Sequence, residues 1–219
     1  LLLLAALVVW LTITAPLHSS LQPLGAPSVT VYSAEGEVIA RKGAVISEAV
    51  DVTELPPHVA QAFIAVEDKR FFRHIGVDPY GMTRAMVRNI GAGAAREGGS
   101  TITQQLAKTS FTGADRTAFR KLQEGFIALW LEAWLSKEEI LSRYLSNVYF
   151  GDNTYGLRAA ARHYFSVDPE ELTLEQAAML AGVVNAPSRL APTRNIEGAR
   201  ERAELVIRRM RDAEFITER

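Results

Sequence analysis

The chain opens on an apolar run, residues 1–17, in which only Thr12 and Thr14 are polar and which Pro16 closes. As a helix it would extend about 26 Å at roughly 1.5 Å per residue, slightly less than a hydrocarbon core of about 30 Å. It is apolar on every face, unlike a core helix with one buried stripe, and no small-x-small cleavage site follows it as in a signal peptide. Residues 1–17 are therefore expected to form a single transmembrane helix, N-terminally truncated because the chain starts with Leu and without a basic flank. Beyond it, residues 18–54 read as linker and β-hairpin. Val29, Val31, Val38 and Ile39 are strand formers on either side of the turn Ala34-Glu35-Gly36-Glu37, so the hairpin is predicted over 28–46.

From residue 55 onward the period becomes helical. Pro56-Pro57 can open a helix whose stripe is Val59, Ala62, Phe63 and Val66. Asp78-Pro79 reads as an N-cap with Pro at the first helical position, followed by an apolar face of Met82, Ala85, Met86 and Ile90. Residues 91–99, GAGAAREGG, form a loop by composition. Thr101 with Gln104, Ser136 with Glu139 and Thr173 with Gln176 have capping-box spacing, which predicts helix starts near Ile102, Lys137 and Leu174. Long amphipathic helices are predicted over 117–135 and 195–213. Residues 215–219 look like a fresh helix cap with no helix after it, so the chain is expected to be cut from a longer protein. The expected fold is a mainly α domain, 55–219, behind a small β-hairpin.

Composition narrows the chemistry. With 219 residues, 48% hydrophobic and 22% charged, the chain can bury one generous core. It has no cysteine, which excludes disulfides, thiolate metal sites and cysteine nucleophiles. The net charge of −1 gives no global field for nucleic acid, and no nucleic-acid partner is expected. Charge is nonetheless segregated. Residues 67–121 hold ten Lys or Arg against five acids, or +5, leaving −6 elsewhere.

Within this basic segment, Gly98-Gly99-Ser100-Thr101 opens a helix, where free backbone N–H groups favour an anion. Lys108, Arg120 and Lys121 could add contacts to phosphate oxygens. Each feature also has a plainer reading. Glu67-Asp68 fits a solvated helix end, and His74 fits a hydrogen-bonded structural group as well as a base. Arg120 and Glu124, at i and i+4, fit a surface ion pair worth about 0.3–0.5 kcal/mol.

Taken together, the runs resemble a known family. Residues 67–76, EDKRFFRHIG, resemble the first signature of the peptidoglycan glycosyltransferases, the lipid II polymerases of class A penicillin-binding proteins and monofunctional cell-wall transglycosylases. Residues 98–108, GGSTITQQLAK, resemble the second and residues 120–124, RKLQE, the third. Lys137-Glu138-Glu139-Ile140-Leu141 with Tyr144-Leu145 and Tyr149-Phe150-Gly151 resembles the fourth. Residues 181–192 with 202–208 resemble the weaker closing motif. The order and spacing are family-like from Val29 to the end. The fourth run departs from the usual Tyr-Leu-Asn at Ser146, with Asn147 one place later.

The resemblance implies a lysozyme-like helical glycosyltransferase fold and a specific reaction. The growing chain on its lipid diphosphate is transferred with inversion to the 4-hydroxyl of the N-acetylglucosamine of lipid II, releasing undecaprenyl diphosphate. Glu67 would be the general base and Glu124 the second essential carboxylate, a candidate ligand for a divalent cation, Mg or Mn. Lys108, Arg120 and Lys121 would neutralise the donor phosphates. Ser100, Thr101, Gln104 and Gln105 would line the cleft, with Asp68, Phe71 and His74 also on the substrate side. The expected setting is the cytoplasmic (inner) membrane, single-pass, with the catalytic domain on its outer, periplasmic or extracellular, side. Expected partners are lipid II, the glycan strand, the membrane, cell-wall synthesis proteins and a transpeptidase domain after Arg219. None is encoded here: Ser47, Ser100 and Ser136 all lack a Lys three places on. Competing readings are a lytic transglycosylase of lysozyme-like fold, which needs no diphosphate cradle, and a non-catalytic cell-wall binding module.

Overall fold

Helices carry most of the structure, a computed structural model that describes residues 9–13, 15, 17, 28–33, 37–43, 45–46, 48–92, 98–111 and 118–217. The first long one, α1 (Pro57–Glu67), follows Pro56, and both prolines suit a helix start because their fixed φ costs no needed N–H. Val59, Ala62 and Phe63 of the predicted stripe are fully buried, and so, nearly, are Ile64 and Ala65. The helix is buried well around its circumference because α7 (Leu174–Val183) and α9 (Ile196–Asp212) both pack against it. Its C-terminal residue, Glu67, is thus presented from the middle of the core.

The next helix is α2 (Pro79–Ala92), with α3 (Ile102–Phe111) and α4 (Ala118–Trp134) following in the basic segment. Then come α5 (Lys137–Asn147), α6 (Leu157–Phe165) and the single turn α8 (Pro187–Leu190) between α7 and α9. α3 packs on α4 and α5, and α9 on α7. The capping signals hold in detail. Ser136–Glu139 and Thr173–Gln176 form reciprocal boxes, and the helices start at Ile102, Lys137 and Leu174. Asn195 caps α9 by accepting the Gly198 N–H at 2.9 Å.

Several expectations are corrected. The segment 28–46 is not one hairpin. β1 (Ser28–Tyr32) and β2 (Val38–Gly43) pair antiparallel, whereas β3 (Val45–Ile46) pairs in parallel with β5 (Thr154–Tyr155). β5 in turn is antiparallel to β4 (Tyr149–Gly151), and its free edge is what takes up β3. Residues 34–36 of the predicted turn lie outside the described residues.

On α2 only Ala85 of the predicted apolar face is buried. Met82, Met86 and Ile90 are 41%, 64% and 70% exposed, because among the described residues no other element packs broadly along this helix. The end of α9 is a closing motif rather than a new start. Glu214 is left-handed (φ 59°) and donates to Arg211 O at 2.8 Å, while Phe215 N–H donates to Met210 O at 2.9 Å.

Much of the expected anchor, residues 1–8 with 14 and 16, lies outside the described residues. Residues 9–13 are helical, Leu11 and Ala15 are buried, and Trp10 meets Phe119 of α4 with ring centroids 4.0 Å apart. Among the described residues no helix is long and apolar enough to cross a membrane.

Ser146, the departure in the fourth run, has a local purpose. Its hydroxyl accepts the Val50 N–H at 3.0 Å, and that of Ser142, one turn earlier, accepts the Val52 N–H at 2.9 Å. The two serines fasten the strand-to-helix connection onto α5.

Candidate active site

Glu67 stands at the wall of a polar cleft of about 340 Å³. Residues 98–101 and Gln105 line one side, joined by Arg84 and Arg88 of α2. Arg202 and Arg209 of α9 line the other, with Asn185 between α7 and α8, and Lys69 stands two residues after Glu67. The cleft thus sets five arginines and Lys69 around Glu67, with Asp68, Asp78 and Asp212 also in its lining.

Gln105 Nε2 donates to Glu67 Oε2 at 2.8 Å. Burial pushes the Glu67 carboxyl above its usual range. The Gln105 hydrogen bond and the charges of Arg202 and Arg209 pull the other way, and the neighbouring Asp68 adds to the rise. Arg209 Nη1 donates to the carbonyl of Val66 at 2.9 Å and so holds the last turn of α1. Arg202 differs. Its Nε is buried and has no hydrogen-bond partner among the described residues. Burial first, then repulsion from Arg209, lowers the hold of its guanidinium on its proton.

Several residues expected on the substrate side make the frame instead. Asp68, 7% exposed, accepts the Ile102 N–H at 3.1 Å and so ties the end of α1 to the start of α3. His74 donates through Nε2 to the same carboxylate at 2.9 Å, while its buried Nδ1 has no partner among the described residues. Thr101 and Gln104 cap α3 reciprocally, each main-chain N–H reaching the other's side-chain oxygen at 3.1 Å. Thr101 Oγ1 also donates to Gly76 O at 2.5 Å. Phe71 is fully buried, under the Lys137 ammonium at 4.4 Å from its ring centroid. Of this group, Asp68 and Thr101 still reach the cleft wall; Phe71, His74 and Gln104 do not line it.

Glu124 is only 1% exposed, so the pair with Arg120 is not a solvated surface contact. Arg120 Nη1 stands 3.2 Å from Oε1, and Lys121 Nζ lies 3.0 Å from Oε2. Lys121 Nζ also donates to Ser100 Oγ at 2.8 Å, which joins Glu124 to the cleft wall. Lys108 is exposed near the end of α3 and does not line the cleft.

Among the described residues no three His, Asp or Glu side chains converge as a metal site, and Glu124 already faces two cations. This donor set does not fit a resident divalent ion, which would need several oxygen ligands free to turn toward it.

Five arginines line the cleft, and the sequence alone assigns none of them as a ligand; Arg70, in the first run, pairs with Asp78 at 3.2 Å. Arg84 and Arg88 stood only in the charge count, although their i, i+4 spacing beside a glycine-rich anion loop was a signal. Arg202 fell inside the closing motif without a role, and Arg209 just beyond it; both lie far from Glu67 in sequence.

Comparison with known proteins bears on this arrangement. The family described as Transglycosylase matches residues 35–211. The chain belongs to the transglycosylase family. It is 43% identical to penicillin-binding protein 1A of Escherichia coli over 188 residues, covering 86% of this chain and 22% of that protein. The corresponding proteins of Vibrio cholerae and Neisseria cinerea are 41% and 43% identical, over 85% and 86% of this chain. The chain thus spans about a quarter or less of the length of these relatives, at 22%, 23% and 24%. The crystal structure of penicillin-binding protein 1A from Haemophilus influenzae matches with a TM-score of 0.47 and 22% identity, over 88% of this chain and 19% of that one. This transglycosylase domain is therefore of the kind found in class A penicillin-binding proteins, as the five sequence runs suggested.

Proposed function

We propose that the domain polymerises glycan strands from lipid II, with Glu67 as the general base. One observation carries this reading: the carboxylate of Glu67, raised above its usual range and held by an amide, lies in a cleft lined by five arginines and Lys69. Glu67 takes the proton of the acceptor's 4-hydroxyl as that oxygen bonds the anomeric carbon of the donor. The bond from that carbon to the diphosphate breaks on the opposite face, so configuration inverts. A hydroxyl is a weak nucleophile, and a base poised nearer neutrality than an ordinary glutamate serves this step better.

The leaving group gains negative charge as it departs and needs fixed positive charge around it. Arg84 and Arg88 supply positive charge in the cleft, and Lys121, held by Glu124, adds its charge behind the wall residue Ser100. Glu124 orients Lys121 and Arg120.

The substrate is a lipid, and the apolar residues that α2 leaves to solvent support a site beside a membrane surface. Orientation toward the outer face of the cytoplasmic membrane, and a transpeptidase domain elsewhere in the whole protein, belong to the same proposal.

The test is a lipid II polymerisation assay on the wild type and on Glu67→Gln. Wild-type protein is expected to lengthen lipid II into glycan, and Glu67→Gln to lose this by a factor of about 10²–10⁴. Shortening of finished peptidoglycan instead would point to a lytic enzyme, and an active Glu67→Gln would remove the base.

A further inference from the structure

The fourth sequence run is the one that the cleft leaves without work, and its Tyr144 is the largest fully buried side chain of the domain. A phenol that is 1% exposed must still place its O–H. Among the described residues its hydroxyl makes one hydrogen bond, to Gln105 Oε1 at 3.4 Å. The other end of that same amide, Nε2, donates to Glu67 Oε2. We propose that Tyr144 is a positioning residue for Glu67: by donating to Gln105 Oε1 it keeps the amide turned with its NH₂ toward the carboxylate. The inference rests on Glu67 being the base.

The logic is one of donors and acceptors. An ionised carboxylate only accepts, so it needs the NH₂ end of Gln105. A flipped amide would set carbonyl oxygen against carboxylate and leave the base without its hydrogen bond. The backbone of α3 does not choose between the two orientations, because the ends of the amide have nearly the same shape. The phenol does choose. At 3.4 Å the contact is long, so its weight lies in orientation more than in strength. Tyr144 is itself held in place, since Leu141 and Leu145 on the same helix are also buried to 1% or less.

Lys69, Arg70, Arg84, Arg88, Asp78 and Asp212 share the cleft with Glu67, and the groups whose charge acts on it most are nearer. Asp68 adjoins it on α1, Arg202 and Arg209 face it from α9, and Tyr144 faces it from α5. α3 contributes the neutral Gln105, and the buried residues of α7 are all apolar. Burial and the field of Glu67 raise the Tyr144 hydroxyl well above its usual range, so it stays a neutral donor throughout the working pH.

The experiment is Tyr144→Phe, a change that keeps the ring and removes only the hydroxyl, assayed for lipid II polymerisation across pH. Expected are a fall of about tenfold in kcat, the effect of one hydrogen bond of ordinary strength, with KM for lipid II changed less than twofold. The acid limb of the pH–rate profile is expected to move to higher pH, because the hydrogen bond that favours ionised Glu67 is lost more of the time. A purely structural tyrosine would leave that limb where it is. Gln105→Leu should produce the same displacement, and Tyr144→Phe added to it should change nothing further. Should Tyr144→Phe not fold, 3,5-difluorotyrosine at 144, a stronger donor of similar shape, should move the limb to lower pH. An unmoved limb in either variant, or additive effects of the two substitutions, overturns the inference. Glu67→Gln serves as the control: if it is dead while Tyr144→Phe behaves as wild type, only the role of Tyr144 falls, whereas an active Glu67→Gln removes the base itself.

Discussion

The carboxylate of Asp68 accepts the main-chain N–H of Ile102 across 34 positions of sequence, at 3.1 Å. One residue before Asp68 is the candidate base, and three residues after Ile102 is the amide that holds it. A helix cap and an active-site alignment are therefore the same contact. Asp68→Ala should cost about 1–3 kcal/mol, from a lost cap and a His74 donor left buried without an acceptor. Thermal unfolding would register this, and Asp68→Asn, which can still accept from Ile102, should lose clearly less.

Glu67 should set both the acid limb of activity and a pH-dependent stability. Burial raises its folded pKa above the unfolded value, so ionising it opposes folding. The stability favouring the protonated form is fully present below the unfolded value and is lost as pH rises through the folded one. Glu67→Gln should therefore melt higher than wild type at pH 7, with the gap closing toward pH 4. A gap that widened on acidification would contradict the assignment. The activity of the wild type should fall away, on the acid side, above the ordinary glutamate range.

Arg202 is held near Glu67 without a hydrogen bond to its Nε. Arg202→Gln should leave the melting temperature unchanged or raise it, because a half-buried guanidinium whose Nε has no partner among the described residues contributes little to folding. It should lower polymerisation and move the acid limb upward, because one of the charges that favours ionised Glu67 is gone. Paired melting and pH–rate curves on this variant separate the two effects.

Gly76 sits at φ +82°, and a Cβ there would lie 2.6 Å from the carbonyl oxygen of Ala128. The same residue's carbonyl receives Thr101 Oγ1. Gly76→Ala should destabilise by about 1–3 kcal/mol from backbone strain, with the α4 contact adding to it. Urea denaturation would show a midpoint well below that of Gly81→Ala, where the close neighbour is the Asp78 side chain, able to turn aside.

How much of this was legible in the sequence depends on range. Thr101, Ser136 and Thr173 marked helix starts correctly, because a capping box is written within four residues. Glu67, Gln105 and Ser100 were legible as one site because they lie in runs of family-like spacing. Arg202 and Arg209 were not, since nothing local in α9 says which earlier helix end they will meet. Met82, Met86 and Ile90 were read as core, because periodicity records an apolar face but not whether anything covers it. The parallel pairing of β3 with β5 had no signature either; five helices separate Val45 from Thr154 along the chain.

α2 has one more consequence. Arg84 and Arg88 turn into the cleft, while Met82, Met86 and Ile90 turn out of it. The rod between them is about 10 Å thick with its side chains. A molecule with an anionic head and a greasy tail, lying across that thickness, would have each end in the phase it prefers. Under the proposed function, the helix would draw the oil–water boundary along its own axis, and would fix how far from that boundary the bond to be broken hangs.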